Sequence, residues 1–240
     1  MKIIGLTRIR NESHIIADTL EHVQQLVDEI YIYDDCSTDD TVKICKKFPV
    51  KIIRNNTWEP NPGIRARLEG SQRNLLYHEA YRPNAWFYYF DADEFADFSG
   101  IDFSADAYRL RLYDYYITKD DINLNWKDRK WLGPEYRDIL MLFKGHPDIQ
   151  FKSRTPSLPY WFKVDRSGFV KHYGKAISVE EWEKTCQYYI NHLNERGVKQ
   201  RWAGRIGKAV HTHSDFGNEL ITWDDRVQKG VCLKNNMILI

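Results

Sequence analysis

Trp86-Phe87-Tyr88-Tyr89-Phe90-Asp91-Ala92-Asp93-Glu94 is the stretch of the 240-residue chain whose reading decides the fold. Five large aromatic side chains in succession, with Ala85 before them, leave no polar face. The run therefore predicts a strand buried on both sides, as in a sheet covered by helices on both faces. Two carboxylates delivered to the carboxyl end of such a strand make a site for a divalent cation, because hard cations take oxygen ligands and bridge to phosphates. Asp-x-Asp alone also fits a solvated acidic turn; its place directly after a buried strand favours the cation site.

Upstream, strand and helix patterns alternate. Residues 2–6 form a compact apolar run, and Asn11-Glu12-Ser13 opens a segment with Ile15, Ile16, Leu20, Val23 and Leu26 at helical spacing. Residues 29–33 predict the next strand, Ser37 or Thr38 the cap of a helix carrying Val42, Ile44 and Cys45, and residues 50–53 a third strand. A polar, proline-bearing loop at 55–63 precedes a helix over 64–80 with Leu68, Leu75 and Leu76 on its apolar side. Such alternation implies a mostly parallel sheet with ligands at the carboxyl ends of its strands. Beyond residue 100 the pattern changes: 108–117 alternates like an antiparallel strand, 126–137 is aromatic and loop-like, 139–143 is a strand, and over 178–196 Val179, Trp182, Cys186, Tyr189 and Leu193 recur at roughly helical spacing.

The length suits one sizeable core, as one domain or one domain with an appended subdomain. Residues 1–120 hold 15 Lys/Arg against 20 Asp/Glu, and residues 121–240 hold 20 against 14, so the halves carry −5 and +6 within a net +1. The basic half could attract an anionic acceptor, although so small an excess is more often solvated surface. Cys36, Cys45, Cys186 and Cys232 show no zinc spacing and read as reduced thiols of a cytoplasmic protein. Arg8 and Arg10 interrupt the N-terminal apolar run too early for a signal peptide, and no apolar run approaches the roughly 18 residues of a membrane span.

Three further patches lie at the expected strand ends or on the helix before the acidic strand: Thr7-Arg8-Ile9-Arg10-Asn11-Glu12, Asp34-Asp35-Cys36-Ser37-Thr38-Asp39-Asp40-Thr41, and Gln72-Arg73-Asn74. A carboxylate can accept from a nucleobase N–H, and arginine suits a phosphate or a base edge through its planar fork. With Asp91-Ala92-Asp93-Glu94 these motifs, in this order, resemble family 2 glycosyltransferases of the GT-A fold. His172-Tyr173-Gly174 followed by residues 181–189 is similar to the His-Tyr-Gly stretch and closing helix of some members.

The resemblance implies a single GT-A, Rossmann-like α/β domain: a mostly parallel central sheet with an antiparallel acceptor-side extension and a C-terminal helix. Residues 1–100 would form the nucleotide-sugar-binding half and 101–240 the acceptor-binding half with the C-terminal helical region. It implies that Thr7, Arg10 and Glu12 line the nucleotide pocket, that Asp35 contacts the base, usually uracil, and that Arg73 lies beside the nucleotide. Asp91 would face the ribose or the metal, Asp93 would ligate a Mn²⁺ or Mg²⁺ ion holding the diphosphate of a UDP-sugar, and His172 would reach the same metal or diphosphate.

The family's reaction is an inverting displacement in which an Asp or Glu deprotonates the acceptor hydroxyl. Neither the usual Glu-Asp nor the His-Glu pair occurs in the region after the acidic turn, where the family carries it. Glu135, Asp138, Asp148 and Asp165 lie in the right stretch, with Glu135 first, although an ion pair of Glu135 with Arg137 or Arg129 is an equal alternative. The acceptor would be a glycan, a lipid-linked sugar or a modified base in nucleic acid. Trp126, Trp131, Tyr136, Tyr160, Trp161 and Trp202 are its stacking candidates, most of them expected in the core, and Lys152, Arg154, Lys163, Arg166, Lys171 and Lys175 carry the positive charge. Two other readings compete. A sugar-nucleotide nucleotidyltransferase would carry a glycine-rich phosphate loop after the first strand, where this chain has Arg-Ile-Arg-Asn-Glu. A non-catalytic nucleic-acid-binding protein would explain the basic half but not the acidic strand ends.

Overall fold

The alternation of the first ninety residues becomes β1 (Ile3–Ile9), α1 (Ile16–Val23), β2 (Glu29–Asp35), α2 (Thr41–Cys45), β3 (Val50–Asn55), α3 (Pro62–Ala80) and β4 (Trp86–Tyr89) in the computed structural model. There follow β5 (Glu94–Asp97), β6 (Ala107–Asp114), β7 (Trp131–Leu132), β8 (Asp138–Lys144), β9 (Gln150–Phe151), β10 (Pro156–Ser157) and β11 (Val164–His172). The C-terminal region holds α4 (Val179–His192), α5 (Arg196–Ala203), β12 (Ile221–Thr222) and α6 (Trp223–Gln228). The structure describes residues 1–192 and 196–228, without the side chains of residues 66, 196, 227 and 228. Leu193 and Cys232 lie outside the described residues; Cys36, Cys45 and Cys186 are free thiols. Among the described residues no helix is long and apolar enough to cross a membrane.

Eight strands form one sheet in the order β3-β2-β1-β4-β8-β6-β11-β5. β3, β2, β1 and β4 pair in parallel. β8 runs antiparallel to both β4 and β6, and β5 antiparallel to β11, which gives the antiparallel extension expected beyond residue 100. One strand is more than that expectation: β6 is antiparallel to β8 but parallel to β11, where it pairs Asp114 with His172.

The alternation of side chains along β4 divides the core. Tyr88 and Phe90 join Ile16, Leu20 and Val23 under α1, while Phe87 and Tyr89 join Leu76, Tyr77 and Ala80 under α3. Phe87 and Phe90 are fully buried, each worth about 2–3 kcal/mol relative to exposure.

Three local expectations are corrected. The helix after β2 starts at Thr41 without a side-chain cap on its N-cap residue; Ser37 instead accepts a hydrogen bond from the Asn11 amide, and Asp39 accepts from the Thr41 amide. On α3, Leu76 is buried but Leu68 and Leu75 are 37% and 45% exposed, because Gln72 and Arg73 turn inward to polar partners beneath the helix. Leu75→Ala should therefore change unfolding free energy by less than about 0.5 kcal/mol in urea titration, within the usual range for surface positions. Of the six stacking candidates only Trp126 is buried; Tyr136, Tyr160 and Trp161 stand more than half exposed.

Candidate active site

The carboxyl ends of β1, β2 and β4 converge, and their loops are tied side chain to backbone. Asn11 and Cys36, which follow β1 and β2, both adopt left-handed backbone with φ of 56° and 63°. For non-glycine residues this conformation costs energy and clusters at functional sites. The Thr38 amide donates to Asn11 Oδ1 at 2.8 Å and the Glu12 amide to Thr41 Oγ1 at 2.7 Å, so the two loops move as one. The acidic turn is fixed from three sides: Thr19 of α1 donates to the Ala92 carbonyl, the Tyr173 amide to the Asp93 carbonyl, and the Asp91 amide to Glu94 Oε2.

At the β2 end, Asp35 is 2% exposed and accepts from Arg8 Nη2 at 2.5 Å, Gln72 Nε2 at 2.9 Å and Asn55 Nδ2 at 3.1 Å. Asp34 is fully buried and faces Arg54 Nε at 3.2 Å. Thr7 is buried with a hydroxyl that has no hydrogen-bond partner. Arg10 lays its guanidinium 3.3 Å from the centre of the Trp58 ring and leaves Nε unpartnered. Arg73 donates to the Tyr89 hydroxyl at 2.8 Å and pairs with Glu69 at 3.1 Å, and Glu69 also faces Arg8 at 3.8 Å.

At the β4 end the two aspartates part company. Asp91 accepts from Arg154 Nε at 2.6 Å, and Arg154 also pairs with Glu94. Glu94 is 3% exposed, and burial pushes its carboxyl up to about 7, with Arg154 opposing and Asp91 adding to the rise. The neutral acid is thus favoured in the folded state relative to the unfolded chain. Stability from this group is full below about pH 4.5 and is lost as pH rises through about 7. Melting temperatures measured from pH 5 to 8 should fall across that window, and Glu94→Gln should flatten the fall.

Asp93 Oδ2 lies 3.3 Å from His172 Nε2, and His172 Nδ1 lies 2.5 Å from Asp114 Oδ1. Burial alone would lower the His172 pKa, but Asp93 and Asp114 outweigh it and hold the ring well above its ordinary value. Burial likewise opposes, and His172 overcomes, in keeping Asp93 below the usual carboxylate range. Asp114 also pairs with Arg137 and, at 3.7 Å, with Lys175. A Cβ on Gly174 would fall 2.4 Å from Asp93 Oδ2 and 2.8 Å from His172 Nε2, so only glycine leaves the space in front of both donors open. Gly174→Ala is expected to keep the fold and cost about 10²-fold in turnover, the scale for misplacing reacting groups by an ångström.

Glu12 looks onto this pair. Its carboxyl is raised well above the ordinary value by burial, then by Asp93, Asp91, Asp39 and Glu181. A cation that displaced the ring proton would meet Asp93 Oδ2 and His172 Nε2 side by side, with the far ring nitrogen resting on Asp114, which fixes its orientation. Mg²⁺ and similar ions are commonly held by one or two protein groups plus substrate phosphates. Asp91 stays with Arg154 rather than joining them, and among the described residues no group of three or more His, Cys, Asp or Glu is arranged around one point.

Glu135 accepts from Ser214 and, at 3.0 Å, from Asn218; neither Arg137 nor Arg129, which pair with Asp114 and Asp121, is its partner. Asp138 is clamped between Arg109 and Arg166, Asp148 is exposed beside His146, and Asp165 is exposed.

The sequence reading missed Arg8, Trp58, Asp114 and Tyr189 as members of the site, and took Arg154 and Lys175 for free acceptor-side charge. Tyr189 of α4 faces the acidic centre, and burial, then Asp93, raise its phenol to about 12. Asp114 carried a signal, the one acid in the 108–117 strand pattern of aromatic, aliphatic and arginine residues. Arg154 carried none.

A mixed, mostly parallel α/β sheet with polar strand ends around an acidic turn is consistent with a transferase domain of the GT-A kind. The sequence profile of glycosyl transferase family 2 matches residues 7–148, more than half of the chain, and the chain belongs to that family. Two uncharacterised proteins, from Mycobacterium bovis and Mycobacterium tuberculosis, are 28% identical over 179 residues, covering 67% of this chain. The chain spans 41% of the length of these relatives. Solved structures similar to it include glucosyl-3-phosphoglycerate synthase of Mycobacterium tuberculosis with Mn²⁺, UDP and glucosyl-3-phosphoglycerate, at 15% identity over 52% of this chain and 47% of that one, TM-score 0.32. Mannosyl-3-phosphoglycerate synthase of Rubrobacter xylanophilus matches at 13% identity over 51% and 42%, TM-score 0.32.

Proposed function

We propose that this chain transfers a sugar from a nucleotide-sugar, with UDP as the nucleotide, to an acceptor hydroxyl with inversion, its first hundred residues serving the donor and the remainder the acceptor. The observation that carries the reading is the Asp93–His172 opening kept clear by Gly174 beside the Arg8–Asp35–Gln72 cluster. A divalent cation such as Mn²⁺, held by Asp93 and His172, would supply charge neutralisation for the departing diphosphate. Asp114 orients the ring of His172 through Nδ1. Thr7 and Arg10 offer an unpartnered hydroxyl and an unpartnered Nε to the nucleotide. Asp35, held in one rotamer by three donors, keeps lone pairs for a base N–H, Arg73 borders the pocket beside Asp91, and Asp91 with Glu12 faces the ribose and diphosphate.

Glu135 is our candidate for the base. The segment that carries it touches β6 twice, through the Gly133 amide on the Asp114 carbonyl and Arg137 on the Asp114 carboxylate, and Asp114 in turn holds His172. Glu135 is held by the neutral partners Ser214 and Asn218, whereas Asp138 is clamped by two arginines that outweigh burial and keep it below its ordinary range. General-base help of this type is worth about 10²- to 10⁴-fold. The free thiols agree with a reducing compartment such as the cytoplasm.

The test is release of nucleoside diphosphate from a panel of UDP-, GDP- and dTDP-sugars with Mn²⁺, alone and with glycan, lipid-linked and nucleic-acid acceptors. The account expects one nucleotide to be strongly preferred and its release to need Mn²⁺. Equal, slow release from all donors, unaffected by Mn²⁺, would contradict it.

A further inference from the structure

Behind the donor site, a second set of positive charges lies among aromatic rings, with Asp97 beside Lys171. β6 and β11 bring Asp114 and His172 to the donor site, and the register sets Arg111 beside Phe169 and Tyr113 beside Lys171 one residue earlier in the alternation, on the opposite face of the same strands. There, cations and rings interleave. Arg111 lies 5.2 Å from the Tyr136 ring and 4.7 Å from Tyr113; Arg226 lies 4.4 Å from both Tyr113 and Trp223; Lys171 lies 4.6 Å from Trp223.

Arg226 disfavours the charge on both of its neighbours. Burial lowers the Arg111 pKa, with Tyr113 and Tyr136 opposing and Arg226 adding; burial also lowers that of Lys171, with Asp97 opposing and Arg226 adding. Arg111 is 5% exposed, its Nε has no hydrogen-bond partner among the described residues, and Arg226, Tyr113 and Tyr136 are the groups that act on its charge. The neighbouring Asp138 is committed to Arg109 and Arg166. A buried guanidinium without an anion is costly, and it binds carboxylate or phosphate through its planar fork.

We propose that this Tyr136–Arg111–Tyr113–Arg226–Trp223–Lys171 strip is a binding site for an anionic glycan, distinct from the donor site, in which carboxylate or phosphate groups meet the guanidinium groups and sugar rings lie on the exposed aromatic faces. Tyr136 is 54% exposed and Trp223 half-buried, which leaves ring surface for a pyranose. A nucleic acid would need a longer run of phosphate contacts than three cations beside Asp97 provide. The strip does not depend on the donor chemistry proposed above.

The experiment is calorimetric titration of the protein with a galacturonate hexamer and with a mannose-6-phosphate oligosaccharide, against uncharged maltohexaose and a single-stranded hexanucleotide. The strip predicts binding of at least one charged glycan that weakens in high salt, since exposed charges are screened. It predicts a loss of about tenfold or more in Arg226→Gln and Arg111→Met, a smaller loss in Tyr136→Ala, and no loss in Asp93→Asn. Arg226 and Tyr136 are accessible at the surface, so those variants keep the test sound if Arg111→Met does not fold. Absence of binding by both charged glycans, equal binding of maltohexaose, tighter binding of the hexanucleotide, or unchanged affinity in Arg226→Gln and Tyr136→Ala would each overturn the proposal.

Discussion

Asp93→Asn is expected to lower sugar transfer by about 10³-fold, with a change in unfolding free energy within about 1 kcal/mol. The two effects separate because of where the side chain sits. Asp93 is a quarter exposed, and His172 keeps its second carboxylate, Asp114, when the first becomes an amide. Ion pairs with solvent contact contribute little to stability. Asparagine keeps the shape and removes the charge, and charge is what the opening between Asp93 Oδ2 and His172 Nε2 offers a cation or diphosphate. Loss of such preorganised electrostatics costs about 10²–10³-fold, and loss of a metal's contribution several kcal/mol. Steady-state rates together with urea titrations on the same preparation check both parts. Retention of more than a tenth of the wild-type rate would remove Asp93 from the centre of the site.

Arg154→Met should be the most destabilising single change at the site, at about 3 kcal/mol or more in urea titration at pH 8. Arg154 pairs with both Asp91 and Glu94, and Glu94 is almost wholly buried. Removing one partner of a buried pair leaves an uncompensated charge, at about 3–5 kcal/mol. The loss should shrink at pH 5.5. Glu94 already titrates near 7 with Arg154 present; without the guanidinium it rises further, so at low pH it is neutral and needs no counter-charge. An equal loss at both pH values would mean that Arg154 acts through packing alone.

The parallel half of the sheet was legible because its signals are local. Residues 86–90 have no polar face, and the strand–helix alternation before them obeys the two periods of regular structure. The acidic turn and the Arg-Asn-Glu and Asp-Asp patches were legible for the same reason, since each follows its strand directly. What could not be read depends on contacts distant in sequence. Asp114 meets His172 across 58 residues, and Arg154 meets Asp91 across 63. The parallel pairing of β6 with β11 brings Asp114 to the site, and no period in either strand announces it. The α3 misreading has a definite cause: leucine count suggested an apolar stripe through Leu68 and Leu75, while the buried face is set by Gln72 reaching Asp35 and Arg73 reaching Tyr89. Polar groups went inside because each found a partner there.

The most direct test of a nucleotide-diphosphate site built on Asp93 and His172 is UDP binding by calorimetry and thermal shift, with and without Mn²⁺, in wild type and Asp93→Ala. A ligand at about 100 times its dissociation constant stabilises the folded state by about 2.7 kcal/mol, a readily measured rise in melting temperature. The account predicts tight UDP binding that requires Mn²⁺ and disappears in Asp93→Ala. Metal-independent UDP binding that survives in Asp93→Ala, or no response to any nucleoside diphosphate, would contradict it.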